Sequence, residues 1–309
     1  MKITLATLLL FCAGILYAQA PPAAPTAPPV NPQIKQAQQL NSEGKHDEAL
    51  AVLMPMLATD PRSYEANLTA GITLDLKGEY DRARKYLLQA VEFAPPDRRM
   101  QALRTTAVSY AFTCDLPQVQ RYEQLAYDAQ MKEQKFTDAA GVANELARIQ
   151  LECANTADAA KWYQTGYETA MRAPNLTEAD RDLWQFRNES AESRVAARKG
   201  DPKQAEAHVA AAKAIVDKGK LPPNQAAFYP YLAGYVAFYA GNYKAAIEEL
   251  QKADQKDPFI LALLAQAYAK SGNHDEAMKL YRQILTINSH SPTNAFARPL
   301  AEKKVKTGS

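Results

Sequence analysis

Residue types that carry enzyme chemistry or staple small secreted domains are scarce in this chain of 309 residues. It has three cysteines, too few for a disulfide framework, and four histidines. The 36 basic residues nearly balance the 34 acidic ones, and a net charge of +2 gives no electrostatic footprint for nucleic acid or an anionic membrane. β-branched residues are also sparse beside Ala, Gln, Glu and Lys, which favours helices over strands. We therefore expect an all-α protein that binds no nucleic acid.

Recognisable catalytic motifs are missing as well. The chain contains no G-x-S-x-G, no H-E-x-x-H and no glycine-rich phosphate loop. His208 lies in an Ala-rich segment without a second ligand at metal spacing. We predict that the protein is not an enzyme, and that it holds no metal and no cofactor.

The first twenty residues have the pattern of a signal peptide. Lys2 gives a positive start, Ile3 to Tyr17 form an apolar core, and Ala18-Gln19-Ala20 supplies small residues before a cleavage point. Cleavage after Ala18 or after Ala20 would release a periplasmic or secreted protein with no membrane span. Two alternatives stay open: an uncleaved anchor, and lipidation at Cys12.

Residues 21–32 are proline-rich, with six prolines in twelve positions. Proline removes backbone donors and favours extended polyproline II structure, so we interpret this segment as a stiff linker. The alternative is a ligand for a proline-reading module.

A short phrase built around glycine recurs beyond the linker. Residues 42–49 and 76–83 are similar and place their glycines 34 positions apart, and residues 240–246 and 271–277 repeat the phrase. Glycine ends one helix because it accepts a left-handed backbone without a steric cost. Asp47, Asp81 and Asp275 are then expected to cap the next helix, and a proline to end it. Such helical hairpins cannot bury their apolar faces alone, so they must stack.

These phrases resemble the tetratricopeptide repeat family, whose 34-residue unit is a helix-turn-helix. In one unit the matching residues are Gly71, Leu74, Tyr80, Ala83, Leu87, Ala90 and Pro95; in the last they are Leu264, Ala265, Tyr268, Gly272, Ala277, Tyr281 and Ile284. The resemblance implies a right-handed superhelical solenoid of stacked antiparallel helix pairs, with about seven repeats and a C-terminal capping helix. It assigns repeats 1–2 to residues 33–97, degenerate repeats 3–5 to 98–226, repeats 6–7 to 227–291, and the cap and tail to 292–309. We expect Pro299 to break the capping helix or delay its start.

A stripe of aromatic residues is the candidate binding surface. Its members recur at offsets of three, seven, ten and eleven, which places them on one side of a helix: Phe228, Tyr231, Tyr235, Phe238 and Tyr239. In the family that the chain resembles, the matching positions line the concave groove. The preceding unit adds Arg187, Arg194 and Arg198 at groove positions, which would suit a peptide with a carboxylate or acidic side chains. The alternative is that the stripe is core, covered by another helix.

Cys114 and Cys153 are the cysteines that remain after the leader, and both fall near turns of adjacent degenerate repeats. Equivalent positions of stacked repeats lie about 10 Å apart, beyond the reach of a disulfide unless an offset helps. A disulfide and two buried free cysteines both stay open.

The function that these patterns favour is binding of a protein or peptide in the groove of an exported scaffold, in envelope assembly or secretion. One alternative is a structural subunit packed in a larger complex without a dedicated groove. Another is an accessory domain of an enzyme.

Overall fold

The computed structural model describes residues 31–308, so the predicted leader and most of the proline-rich linker lie outside the described residues. The described part is all helical and contains no strand. Its helices, in chain order, are α1 Pro32–Ser42, α2 His46–Thr59, α3 Tyr64–Leu76, α4 Tyr80–Phe93, α5 Arg99–Ala111, α6 Leu116–Lys132, α7 Phe136–Glu152, α8 Thr156–Met171, α9 Glu178–Lys199, α10 Pro202–Asp217, α11 Pro223–Ala226, α12 Tyr229–Tyr239, α13 Tyr243–Leu250, α14 Pro258–Lys270, α15 His274–Leu285 and α16 Pro292–Thr307.

Within residues 32–307, seven antiparallel helix pairs and a final helix stack in sequence, which confirms the predicted fold class. The pairs are α1–α2, α3–α4, α5–α6, α7–α8, α9–α10, α12–α13 and α14–α15. First helices of successive pairs also contact each other, as α1 contacts α3 and α12 contacts both α9 and α14. We call the surface formed by these first helices the inner face.

Glycine permits the close approach of the two helices in several pairs. A Cβ at Gly71 would lie 2.5 Å from Cγ of Leu87, and one at Gly234 would lie 2.6 Å from Cγ of Leu250. Both glycines stand on first helices and face leucines of the second helix of the same pair. Any larger residue would push the pair apart.

The turns within the pairs have one geometry but not one residue type. Gly78 and Gly272 adopt a positive φ of 78° and 87°, as the repeated phrase predicts. In the middle of the chain the same backbone conformation is adopted by Cys114 and Ala154 in the turns of two pairs, with φ of 51° and 67°, and by Gln134 in the turn between α6 and α7, with φ of 56°. The glycine of the repeated phrase is therefore absent from the α5–α6 and α7–α8 turns, although these turns fold in the same way, and it returns as Gly200 in the α9–α10 turn, with φ of 76°.

The expected caps differ in part from those observed. Asp47, Asp81 and Asp275 lie in the first turns of α2, α4 and α15 rather than at the capping positions, because each helix begins at the residue before its aspartate. Their charges still favour the positive end of the helix dipole. At α15 the cap is Asn273, whose side chain accepts from the backbone amide of Glu276.

The C-terminal helix is continuous and contacts more of the solenoid than the last pair. The prediction of a break at Pro299 is wrong, because α16 is continuous through it. Besides covering α14 and α15, α16 contacts α5 and α7 on the inner face. This packing helps to offset the loss of the backbone hydrogen bond that Pro299 cannot donate.

The segment before α16 joins the two ends of the solenoid. Nε2 of His290 lies 2.8 Å from Oδ2 of Asp75 on α3, whose Oδ1 accepts a hydrogen bond from Ser109 at 2.9 Å. The side-chain amide of Asn288 donates to the carbonyl of Ser42, the last residue of α1, at 3.4 Å. Residues 288–293 therefore cross the inner face of the first half of the chain.

Candidate functional site

The aromatic stripe on and beside α12 is partly core and partly surface. Tyr231 and Tyr235 are buried, whereas Phe228 and Tyr239 at its two ends are 40% and 37% exposed. Phe238 is half-buried and packs against the rings of Tyr239 and Tyr243, at centroid distances of 5.2 and 5.8 Å. The middle of the stripe is therefore part of the core, as the alternative interpretation has it. For the two exposed ends, binding in the groove remains a proposal.

A polar network ties the C-terminal end of the stripe to α7 and α9. Nη1 of Arg198 donates to Oε2 of Glu152 at 3.0 Å and to the hydroxyl of Tyr239 at 3.2 Å. The hydroxyl of Tyr235 donates to Oε1 of Glu152 at 3.3 Å. The charge of Arg198 is thus matched within the protein, and this network fixes three first helices against each other.

Burial dominates the chemistry of that network. It raises the pKa of Glu152, while the nearby Arg198, Arg148 and Arg194 act in the opposite direction. Burial also raises the pKa of Tyr235 well above its ordinary value. Tyr235 therefore remains a hydrogen-bond donor at neutral pH.

A second group of cationic side chains lines a cavity of about 430 Å³ on the inner face. Arg148 of α7 and Arg187 and Arg194 of α9 lie in its wall. Phe228 closes one side, and residues 291–293 at the start of α16 close another. The site therefore combines elements that are far apart in the chain.

None of these three arginines forms an ion pair with a carboxylate in residues 31–308. Arg148 lies 5.2 Å from the ring centroid of Phe259, and its Nε is buried without a hydrogen-bond partner. Arg194, 9% exposed, lies 5.2 Å from the ring of Tyr163, and its Nε donates to the carbonyl of Ser190 at 3.0 Å. Arg187 stacks on Trp184.

A buried hydroxyl adds to the unmatched donors. Tyr163 lines the cavity and is 3% exposed, and its hydroxyl finds no partner among the described residues. Burial raises the pKa of Tyr163 to about 12, against the influence of Arg194 and Arg148, so the hydroxyl keeps its proton at neutral pH. The cavity thus presents guanidinium and hydroxyl donors beside aromatic surface, which is the chemistry of anion binding.

A second cavity of about 470 Å³ lies on the other side of residues 290–292. Its wall includes Arg98, Arg104 and Gln101, and it shares Glu145, Ser291 and Pro292 with the first cavity. The segment that leads into α16 therefore divides the inner face in two.

Sequence reasoning found some of these residues and missed others. Of the predicted groove residues, Arg187, Arg194 and Phe228 meet in the cavity, Arg198, Tyr235 and Tyr239 form the network, and Tyr231 and Phe238 lie outside both. It missed Arg148, Glu152 and Tyr163. A signal existed, since Arg148 and Glu152 stand four residues apart in the apolar stretch that ends α7.

A disulfide joins Cys114 and Cys153, with their Cα atoms 5.6 Å apart. It links the α5–α6 turn to the α7–α8 turn. The two cysteines are not at equivalent positions: Cys114 has the positive φ of its turn, whereas Cys153 precedes the residue that does, Ala154. This offset of one residue closes the gap that equivalent positions would leave.

Comparison with known proteins supports the repeat architecture. A family model described as tetratricopeptide repeat matches residues 40–106 and 237–293. A crystal structure of a tetratricopeptide repeat protein from Parabacteroides merdae superposes with a TM-score of 0.53 at 9% identity, over 89% of this chain and 96% of that one. At that identity the likeness concerns the fold alone.

Two other solved structures are similar at lower scores. A Rap protein complexed with competence and sporulation factor matches at 14% identity and a TM-score of 0.44, covering 90% of this chain and 98% of its own. Yeast Tom70 matches at 15% identity and 0.38, covering 86% and 60%. No curated protein matches the chain. Within residues 31–308, no helix has the length and apolar character needed to cross a membrane.

Proposed function

We propose that this chain, which carries tetratricopeptide repeats at both ends of a helical solenoid, is a non-catalytic scaffold that binds a protein or peptide on its inner face. The observation that carries the proposal is the cavity beside α7, α9 and α12, where unpaired guanidinium groups adjoin exposed aromatic surface. Aromatic and arginine side chains dominate the energetics of protein interfaces.

The proposal includes export to the periplasm or the cell exterior, with a role in envelope assembly or secretion. The pattern of residues 1–20 supports export, and so does the disulfide, since disulfides persist in oxidising compartments. Expression in a bacterial host followed by N-terminal sequencing tests it. Cleavage after Ala18 or Ala20 is expected, and an intact Met1 on the folded protein contradicts it.

The binding role is tested with exposed residues, because Tyr231 and Tyr235 are core and their removal would damage the fold. A partner captured from cell envelopes is first purified. Its affinity is then measured for the double variant Phe228→Ala/Tyr239→Ala by isothermal titration calorimetry.

We expect the double variant to weaken binding by about tenfold or more, as loss of interface aromatics does. The matched control is Leu88→Ala/Leu125→Ala, which removes exposed apolar side chains from the second helices α4 and α6. Equal affinity of the first variant and the native protein, with both folded, argues against the inner face. Loss only in the control favours a partner on the outer face, as in a structural subunit.

A further inference from the structure

Three buried hydrogen-bond donors in the core between neighbouring repeats find no acceptor among residues 31–308. They are Nε of Arg148 on α7, the hydroxyl of Tyr163 on α8 and the hydroxyl of Tyr231 on α12. The two tyrosines are 3% and 2% exposed. A buried donor without an acceptor is destabilising, so three of them in one core indicate that a further group completes it.

These donors belong to one cluster. Cζ of Arg148 lies 5.9 Å from the ring centroid of Tyr231, and Cζ of Arg194 lies 5.2 Å from that of Tyr163. Arg194 also interacts electrostatically with Tyr231, and Tyr163 with Arg148. We call Arg148, Tyr163, Arg194 and Tyr231 the buried donor cluster.

The charges in and around the buried donor cluster do not balance. Within the described residues, five charged groups interact there: Arg148, Arg194, Arg198, Glu152 and Asp257. Three positive charges face two negative ones, which leaves one positive charge uncompensated. Burial is the cause that lowers the pKa of Arg187, so this arginine stands apart from the group. Burying a charge without a counter-charge is costly, and one monoanion would balance this core.

The acceptors near the cluster are already engaged. Oε2 of Glu152 accepts from Arg198 at 3.0 Å, and its Oε1 accepts from Tyr235 at 3.3 Å. Oδ1 of Asp257 accepts from two backbone amides at the start of α14, at 2.8 and 3.3 Å. A water molecule would bring two further hydrogens that need acceptors. A halide ion only accepts hydrogen bonds, so it suits a cluster made of donors.

Aromatic rings enclose the donors and limit the size of the anion. Cζ of Arg148 lies 5.2 Å from the ring centroid of Phe259, which packs edge-on against Tyr231 at 6.3 Å. The edge of an aromatic ring is electropositive and tolerates a small anion. A sulfate or a carboxylate would place oxygens against these rings without donors. Arg148, Tyr163 and Arg194 also line the cavity of about 430 Å³, which gives a small ion a route to the core.

We propose that the core between α7, α8, α9 and α12 holds a buried halide ion, chloride under physiological conditions, bound by Arg148, Arg194 and the hydroxyls of Tyr163 and Tyr231. These helices belong to three successive pairs, so the ion ties the fourth, fifth and sixth pairs of the solenoid together. The ion is a structural component of the fold and is distinct from any partner on the inner face.

The first test is the chloride dependence of stability. The unfolding temperature of the purified chain is measured in sodium chloride and in sodium gluconate at equal ionic strength, because gluconate is too large for the cluster. A ligand that binds the folded state alone raises the unfolding temperature in a saturable way, by about 3 °C once chloride exceeds its dissociation constant tenfold. Bromide should act as chloride does, and acetate should not.

Variants connect this effect to the cluster. Tyr163→Phe removes one donor without changing the ring, and should weaken chloride binding about tenfold or more. The matched control is Tyr281→Phe on α15, which removes an equally buried hydroxyl without a partner among the described residues, away from these arginines. It should leave the chloride dependence unchanged. Arg148→Met should abolish that dependence, and Tyr163→Phe keeps the test decisive if this variant does not fold.

Bromide also locates the site directly. Crystals grown in sodium bromide should give an anomalous scattering peak between Arg148, Tyr163 and Tyr231, and crystals of Arg148→Met should not. The inference fails if chloride and gluconate give the same unfolding temperature, if Tyr163→Phe keeps the full chloride effect, or if bromide is absent from the cluster. All these measurements use the chain alone, so their outcome is independent of whether a partner binds the inner face.

Discussion

The disulfide between Cys114 and Cys153 should account for a large share of the stability of the middle repeats. The bond closes a segment in which the cysteines are 39 positions apart. In the chain-entropy model, closing a loop of that length removes enough freedom from the unfolded chain to stabilise the fold by about 4 kcal/mol. The repeats it joins, α5 to α8, hold the wall of the cavity that contains Arg148 and Tyr163.

The measurement is urea unfolding followed by circular dichroism, for the native protein and for Cys114→Ala, Cys153→Ala and the double variant. The expected loss corresponds to a midpoint lower by roughly 1 to 2 M urea. Alanine at position 114 keeps a side chain at the same positive φ, so backbone strain is equal in both forms. Since a solenoid can unfold in parts, hydrogen exchange in α5 to α8 locates the loss.

The losses of stability in the three variants, compared with one another, show whether the disulfide is responsible. Because either single substitution breaks the bond, each should cost nearly as much as the double variant. If the two single losses instead add up to the double loss, the cysteines act as independent buried apolar residues. Unchanged stability in all three variants would refute the entropic argument.

Two further predictions concern buried polar groups that do not line the cavity with Arg148, Arg187 and Arg194. Burial and the neighbouring charge of Glu145 raise the pKa of Glu123 well above its ordinary value. The contribution of Glu123 to stability is therefore present below the pKa of the unfolded state and is lost as pH rises through the pKa of the folded state. Glu123→Gln should therefore raise the unfolding temperature at neutral pH and make that temperature depend less on pH. The control is Glu248→Gln, at an exposed position, which should do neither. An unfolding temperature that varies with pH in Glu123→Gln as it does in the native protein would contradict this prediction. His290→Ala leaves the buried carboxylate of Asp75 with Ser109 as its remaining partner and should cost about 3 kcal/mol in urea unfolding. The control is His208→Ala, which breaks a more exposed pair and should lower the free energy of unfolding by less than about 1 kcal/mol. A loss as small as that in His290→Ala would show that the crossing segment does not hold the ends together.

The repeat architecture has a strong sequence signature where glycine marks the turns and a weak one where another residue stands in the turn. Gly78 and Gly272 lie in turns whose backbone favours glycine, so the sequence pattern and the geometry agree there. Cys114, Gln134 and Ala154 adopt the same conformation at a cost of about 1 kcal/mol each. Packing between repeats can offset such a cost, so the turn can form without a glycine or any other local sequence signal.

The candidate site could be predicted only in part, because exposure depends on elements distant in the chain. The offsets within α12 place Tyr231 and Tyr235 on one side correctly, but helix periodicity does not say whether that side faces solvent or α7 and α9. The same limit applies to α16. Its sequence suggested a cap for the last pair, whereas α16 also contacts α5 and α7, which belong to repeats far from it in the chain.

That contact changes what kind of ligand the inner face can take. An open solenoid groove accepts the middle of an extended chain, which can enter and leave along the groove. Here residues 290–292 separate two cavities of about 470 and 430 Å³, so a long peptide cannot lie along the whole inner face without displacing them. A ligand that enters one cavity from outside must therefore present an end.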